Sequence, residues 1–172
     1  MNPHHSTDSH ITNSSEADVF HYQSELGLLE IISSGHSLLS VTFTDDNNQI
    51  SERLSELSPF QNEIHTQFDE YFQGKRLTFD VSIKLNGTLF EKQVWDYLLE
   101  IPYGQTKSYG DIATFLGDMK KVRAVGRAVG QNPIAIIVPC HRVLGSNGKL
   151  TGYAGGLWRK EWLLKHEGSL LI

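Results

Sequence analysis

The stretch Ser108–Gly130 reads SYGDIATFLGDMKKVRAVGRAVG, and its punctuation decides how the second half of the chain folds. Ser108, with Asp111 three residues on, predicts a helix start, and Ile112, Phe115 and Leu116 give that helix an apolar side. Gly117 closes it early. Asp118 caps a second helix running to Gly130, with Val122, Val125 and Val129 inward. Two short helices joined across a glycine-containing turn have helix-turn-helix proportions, and so does an ordinary αα-hairpin in a helical bundle.

The second helix has an unusual outer face. Lys120, Lys121, Arg123 and Arg127 make it basic, while Ala124, Gly126, Ala128 and Gly130 give it almost no bulk. Glycine inside a helix costs roughly 1 kcal/mol relative to alanine. A helix that keeps Gly126 is one that must come close to another surface, either a neighbouring helix or a nucleic-acid backbone. The basic neighbours favour the second.

Downstream, Asn132-Pro133 leads into Ile134–Val138, a buried strand by composition. The strand delivers Pro139-Cys140-His141-Arg142-Val143. Gly145–Gly148 is a turn, Gly152–Gly156 a flexible loop, and a last helix over about 157–167 stops at Gly168. Upstream, Thr88 and Glu91 form a capping box for a helix with Phe90, Val94, Tyr97, Leu98 and Ile101 inward, ended by Pro102 and Gly104. Asn86-Gly87 marks a boundary. Before it, the pattern predicts strands at 26–32, 39–43 and 77–83. A turn at Asp45–Asn48 and a helix at about 59–73, capped by Ser58 and Gln61, lie among them. That helix presents Phe60, Ile64, Phe68, Tyr71 and Phe72, and Gly74 ends it. Residues 1–18 read as a disordered tail whose His4, His5 and His10 lack ligand spacing.

Composition sets limits on the function. The chain has 172 residues, 39% of them apolar and 20% charged, which is ordinary for a globular protein. No run of about 18 apolar residues exists to cross a membrane, and the N-terminus lacks the pattern of a signal peptide. The net charge of −5 is split unevenly. Residues 1–87 carry 4 basic and 13 acidic side chains, a net of −9, and residues 88–172 carry 11 and 7, a net of +4. A mildly basic half suits a polyanion. The single cysteine, Cys140, excludes an internal disulfide and a cysteine-based zinc site, and a reducing cytoplasm is its natural setting.

A lone cysteine is most often a small buried hydrophobe. Cys140 departs from that by its position at a strand exit beside His141 and Arg142, cations that would favour the thiolate. Neighbours on extended backbone point to opposite faces. His141 therefore acts through a water, or another base serves Cys140.

Pro139-Cys140-His141-Arg142-Val143 resembles the active-site signature of the O6-alkylguanine-DNA alkyltransferases, the methylated-DNA–protein-cysteine methyltransferases. The resemblance extends over Phe90–Gly168. It includes Ile101–Thr106, Ser108–Ala113, Arg123–Gly126, Gly130–Pro133, Tyr153–Gly156 and Lys160–Leu164. The first half resembles the family's N-terminal domain only in outline. The family implies an α+β fold, with a small sheet-and-helix domain at 19–86 followed by a mostly helical helix-turn-helix domain at 87–172.

The resemblance also implies roles. Cys140 accepts the alkyl group from guanine O6. His141 is its base through water, Glu161 orients His141, and Asn132 braces the turn between the recognition helix and the Cys140 strand. Tyr109 contacts the flipped guanine. The carbonyls of Cys140 and Val143 hold its amino group, and Tyr153 and the Ala154 amide line its pocket. Arg123 takes the place of the extruded nucleotide in double-stranded DNA entered by the minor groove. Lys120, Lys121, Ala124, Gly126 and Ser146 meet the DNA. The implied reaction is a single-turnover transfer, with O4-alkylthymine an open second substrate, no cofactor and no metal. The implied protein is a cytoplasmic or nucleoid-associated monomer (nuclear in a eukaryote) with cooperative assembly on DNA left open. Met119 departs from a proline common in the family, and Trp158 is bulky beside the pocket loop. A damage-sensing DNA-binding module without efficient transfer is the alternative, and a Cys-His-Glu hydrolase is supported by residue types alone.

Overall fold

The computed structural model describes residues 17–45 and 57–170. The expected tail, apart from Ala17 and Asp18, and the Asp45–Asn48 turn, apart from Asp45, lie outside the described residues. The first half opens with an antiparallel meander, β1 (Asp18–Ser24), β2 (Gly27–Ser34) and β3 (Ser37–Thr44), paired in that order. Strand β1 is absent from the sequence reading. Its Phe20 and Tyr22 are buried, but polar neighbours make it resemble the end of a tail. Leu26 belongs to the β1–β2 turn and not to a strand.

Helix α1 (Pro59–Phe72) starts as its cap dictates. The Ser58 hydroxyl accepts from the Gln61 amide, and Gln61 Oε1 accepts from the Ser58 amide. Ile64, Phe68 and Tyr71 point into the core. The expected strand over 77–83 is an extended segment with one bridge, Leu38 to Ile83. The free edge of β3 explains this, because it is shared. Leu38 pairs with the 82–84 segment, whereas Val41 pairs with Pro133 and Ala135 from the second half.

The second half is mostly helical. Helix α2 (Leu89–Leu99) carries the Thr88–Glu91 capping box, and its Trp95 indole donates to Ala128 O at 2.8 Å. A short parallel pair joins β4 (Lys107–Ser108) to β5 (Val143–Leu144). Helix α3 (Tyr109–Phe115) starts at the Ser108–Asp111 box. Phe115 does not face the core; it is 70% exposed and leans on Tyr97. Asp118 caps a 3-10 turn, Met119–Lys121, and helix α4 (Val122–Gly130) begins only after it. Helix α5 is Leu157–His166.

The buried strand expected over Ile134–Val138 does not form. Ile134 makes one bridge to Val41, and the chain then turns on itself. The Ile137 amide bonds Ala135 O at 2.8 Å across Ile136, whose φ is +71°. A β-branched residue there is strained by the order of 1–3 kcal/mol. The Cys140 amide bonds Val138 O across Pro139 (φ −84°, ψ 64°), an inverse γ-turn. The apolar run is buried because the turn is enclosed, and composition cannot separate an enclosed turn from a strand. One apolar cluster runs through both halves, from Phe20, Leu29 and Val41 to Val125, Val138, Cys140 and Leu163.

Candidate active site

Cys140, His141 and Arg142 form a 3-10 turn at the end of this compact segment, all three buried. Asn132 laces the segment together. Its side-chain amide donates to Val138 O at 2.7 Å and to Cys140 Sγ at 3.1 Å, and its oxygen accepts from the Ile134 amide at 3.0 Å. Burial pushes the Cys140 thiol up from its ordinary value. The Asn132 hydrogen bond, the Lys160 charge and the local amides oppose that shift without reversing it. This corrects the expectation that neighbouring cations would lower it. At rest Cys140 is a thiol whose ionised form has partners waiting.

Behind Cys140 lies a buried charge network. His141 Nε2 is 2.8 Å from Glu167 Oε1. The Arg142 guanidinium grips the same carboxylate, Nε to Oε2 at 2.8 Å and Nη2 to Oε1 at 2.9 Å. The Tyr71 hydroxyl of α1 donates to Glu167 Oε1 at 2.7 Å. Burial alone would raise the Glu167 carboxyl, but His141 and Arg142 overcome it and hold the group well below the carboxylate range. Burial also lowers His141, leaving the ring neutral. An ionised carboxylate only accepts, so Nε2 carries the ring proton and Nδ1 keeps its lone pair. Nδ1 is buried without a protein partner.

Glu161 is not in this network. It sits partly exposed on α5 and pairs with Lys165 at 2.8 Å, an i,i+4 contact. The carboxylate that meets His141 is Glu167, six residues on. The inward stripe of α5 is Lys160, Leu163, Leu164 and Glu167, at i, i+3, i+4 and i+7. Position 161 falls beside that stripe. A second signal was available, since an anion just past a helix C-terminus opposes the helix dipole and implies a strong cationic partner.

Lys160 was also missed. Its ammonium is buried, donating to Val143 O at 2.5 Å and Thr151 O at 2.9 Å. Burial pulls it down to about 8, while the nearby Cys140 acts in the opposite sense. Val143 O is therefore already in use by Lys160.

A cavity of about 100 Å³ opens over Cys140, lined by Asn132, Gly130, Tyr153 and Ala154 among others. The Tyr153 hydroxyl is buried without a partner. Tyr109 is partly buried on α3, its hydroxyl 3.3 Å from Thr151 Oγ1. Arg123, Ala124, Lys120 and Lys121 are exposed, and Ser146 lies exposed in the Gly145–Gly148 turn. A Cβ at Gly126 would meet only Tyr109, at an ordinary 3.8 Å. No neighbouring helix demands that glycine, so of the two surfaces weighed for it the intramolecular one is removed. Trp158 is 55% exposed and stacks on Arg159 outside the cavity. Among the described residues, no group of three or more His, Cys, Asp or Glu is gathered as a metal site requires, and no helix is long and apolar enough to cross a membrane.

The family model for the 6-O-methylguanine DNA methyltransferase DNA binding domain matches residues 89–169, and that for its ribonuclease-like domain matches residues 21–85. A methylated-DNA–protein-cysteine methyltransferase of Methanosarcina acetivorans is 47% identical over 150 residues, covering 86% of this chain and 96% of the relative. Its namesake in Mycobacterium bovis is 57% identical over 103 residues, 60% of this chain and 62% of the relative. The crystal structure of Mycobacterium tuberculosis O6-methylguanine methyltransferase superposes with a TM-score of 0.77 at 41% identity, over 90% of this chain and 94% of that one. The M. tuberculosis protein solved in complex with DNA gives 0.76 at 44% identity, over 87% and 91%. With its signature cysteine buried under a cavity and backed by a histidine–glutamate pair, this chain belongs to the methylated-DNA–protein-cysteine methyltransferase family.

Proposed function

We propose that the protein repairs O6-alkylguanine in double-stranded DNA by moving the alkyl group irreversibly to Cys140. The observation that carries this reading is a buried sulfur that accepts from Asn132 and feels the Lys160 charge, next in the chain to a His141 whose Nδ1 is buried without a partner. Glu167 fixes the His141 tautomer, and a water at Nδ1 takes the thiol proton. The Asn132 amide and the Lys160 charge stabilise the sulfur anion as it forms. The sulfur bonds the alkyl carbon while the carbon–O6 bond breaks, and guanine leaves with the bonding pair and a proton assisted by Tyr109. A thioether is inert to the groups that the described residues place at the cavity, so each molecule reacts once in this reading.

An alkyl group inside a duplex is out of reach of a buried sulfur, so the nucleotide must be flipped, at a cost of a few kcal/mol. Exposed Arg123 fills the vacated place, and the thin face of α4 at Ala124 and Gly126 enters the minor groove. Lys120, Lys121 and Ser146 hold the backbone, while Tyr153 and Ala154 shape the guanine pocket. In this reading residues 19–86 and 87–172 are two domains of a monomer working in the cytoplasm or nucleoid. Intact-mass spectrometry after incubation with an O6-methylguanine duplex tests it. One methyl group per protein, on Cys140, with no second turnover, is expected. Binding without mass gain, or turnover with Cys140 unmodified, overturns it.

A further inference from the structure

The cavity over Cys140 is not built by the second half alone. Val41, Thr42 and Phe43 of β3 form one of its walls. Phe43 is the bulky member, and the opposite loop is shaped around it. A Cβ at Gly155 would lie 2.8 Å from the Phe43 ring and 2.9 Å from the Tyr153 ring. The ring thus occupies the space that any side chain at 155 would need. Gly155 shows no left-handed φ, so packing, not backbone conformation, calls for glycine there.

Arg159 holds this contact in place. Its guanidinium lies 4.5 Å over the Phe43 ring and 4.7 Å over Trp158. Its Nε donates to Leu26 O and its Nη1 to Gly155 O, both at 2.8 Å. Nη2 also reaches exposed Asp45 at 3.5 Å. One side chain of α5 therefore ties the β1–β2 turn, the β3 ring and the pocket loop together. Such a network fixes a wall more firmly than packing alone.

We propose that Phe43, held by Arg159, is a specificity-determining residue that sets how large an O6 substituent reaches Cys140. The proposal rests on the alkyl transfer proposed above and adds to it a limit imposed from the first half of the chain. The chemistry is common to all substituents: sulfur bonds the carbon attached to O6, that carbon–oxygen bond breaks, and the thiol proton ends on the departing guanine. Only the room for the substituent differs. The side chain of phenylalanine is itself a benzyl group, so removing it opens space of the shape an O6-benzyl group needs.

The test compares transfer from O6-benzylguanine and from O6-methylguanine, each in the same duplex, within one protein preparation. The ratio of the two rates is unaffected by any fraction that fails to fold. Phe43→Ala is expected to raise the benzyl-to-methyl ratio by about tenfold or more, the lower end of what pocket fit discriminates. Phe43→Leu should raise it less, and serves as the readout where the alanine variant does not fold. Arg159→Met should raise it as well, and should add nothing to Phe43→Ala because the ring it holds is gone. A ratio unchanged or lowered in both Phe43 variants overturns the proposal. Full additivity of Arg159→Met with Phe43→Ala overturns the holding role of Arg159. If wild-type protein gains mass from neither duplex, the transfer reading itself has failed.

Discussion

The two halves of the molecule divide chemistry and support unequally. The second half carries the sulfur, the His141–Glu167 pair and the basic helix α4. Among the described residues of the first half none is a reactive group at the site, yet Tyr71 reaches the Glu167 carboxylate and Phe43 walls the cavity. The same apolar cluster joins both halves. A half without reacting groups can still decide how the other half's groups are held, because orientation and exclusion are set by whatever packs against them.

Substitutions can break or sharpen this contrast. Cys140→Ser should abolish transfer while leaving duplex affinity unchanged, since a hydroxyl does not ionise near neutral pH and α4 is untouched. Intact mass and a binding titration decide it, and methyl gain by the serine variant would contradict the assignment. Glu167→Gln should slow transfer by roughly 10²–10⁴, the usual share of a positioned proton acceptor. Glu161→Gln should leave the rate at wild type, because its partner is exposed Lys165. Stopped-flow rates of the pair separate the two carboxylates directly.

Arg123→Ala should cost roughly tenfold to a hundredfold in transfer from a matched duplex, and much less where the damaged base is mispaired or single-stranded. Neutralising Lys120 or Lys121 should instead weaken binding to any duplex and lower the salt slope by about one phosphate. Equal fractional losses on all substrates would make Arg123 another phosphate contact. In the first half, Tyr71→Phe should slow transfer by less than about tenfold and cost about 1.5–3 kcal/mol of stability, the worth of a hydrogen bond to a charged group.

The smallest effect is on acid stability. His141 sits below its unfolded value of about 6.5, so the unfolded chain takes up a proton first and stability falls as pH drops below that point. Glu167 is also depressed, and its contribution is present above the unfolded carboxyl value of about 4.3 and lost below it. Urea unfolding at successive pH values should show both declines, and Glu167→Gln should shrink the lower one, leaving the share of Glu91 and Asp111, which are also depressed.

What was legible in the sequence follows the range of the forces involved. The starts of α1, α2 and α3 were readable because a capping box is complete within four residues. The basic, thin face of α4 was readable for the same reason. Cys140, His141 and Asn132 could be singled out, but not the turn that holds them, since Ile134–Val138 is apolar for reasons of enclosure. Glu161 is what the resemblance implies, whereas Glu167 lies on the inward stripe of α5, which shows only once Lys160 is known to be buried. Strand β1 and the shared edge of β3 depend on partners distant in the chain, which local pattern does not record.

The contact between Gly155 and Phe43 also bears on how such a protein can change over generations. Any side chain at 155 collides with an intact phenylalanine at 43, so that substitution is deleterious when it comes first. Once position 43 has become smaller, one of the two rings in the way is gone and only the Tyr153 ring, 2.9 Å off, has to give. Two positions more than a hundred residues apart in the chain are therefore constrained to an order of mutation, and pocket shape is inherited as a property of the pair.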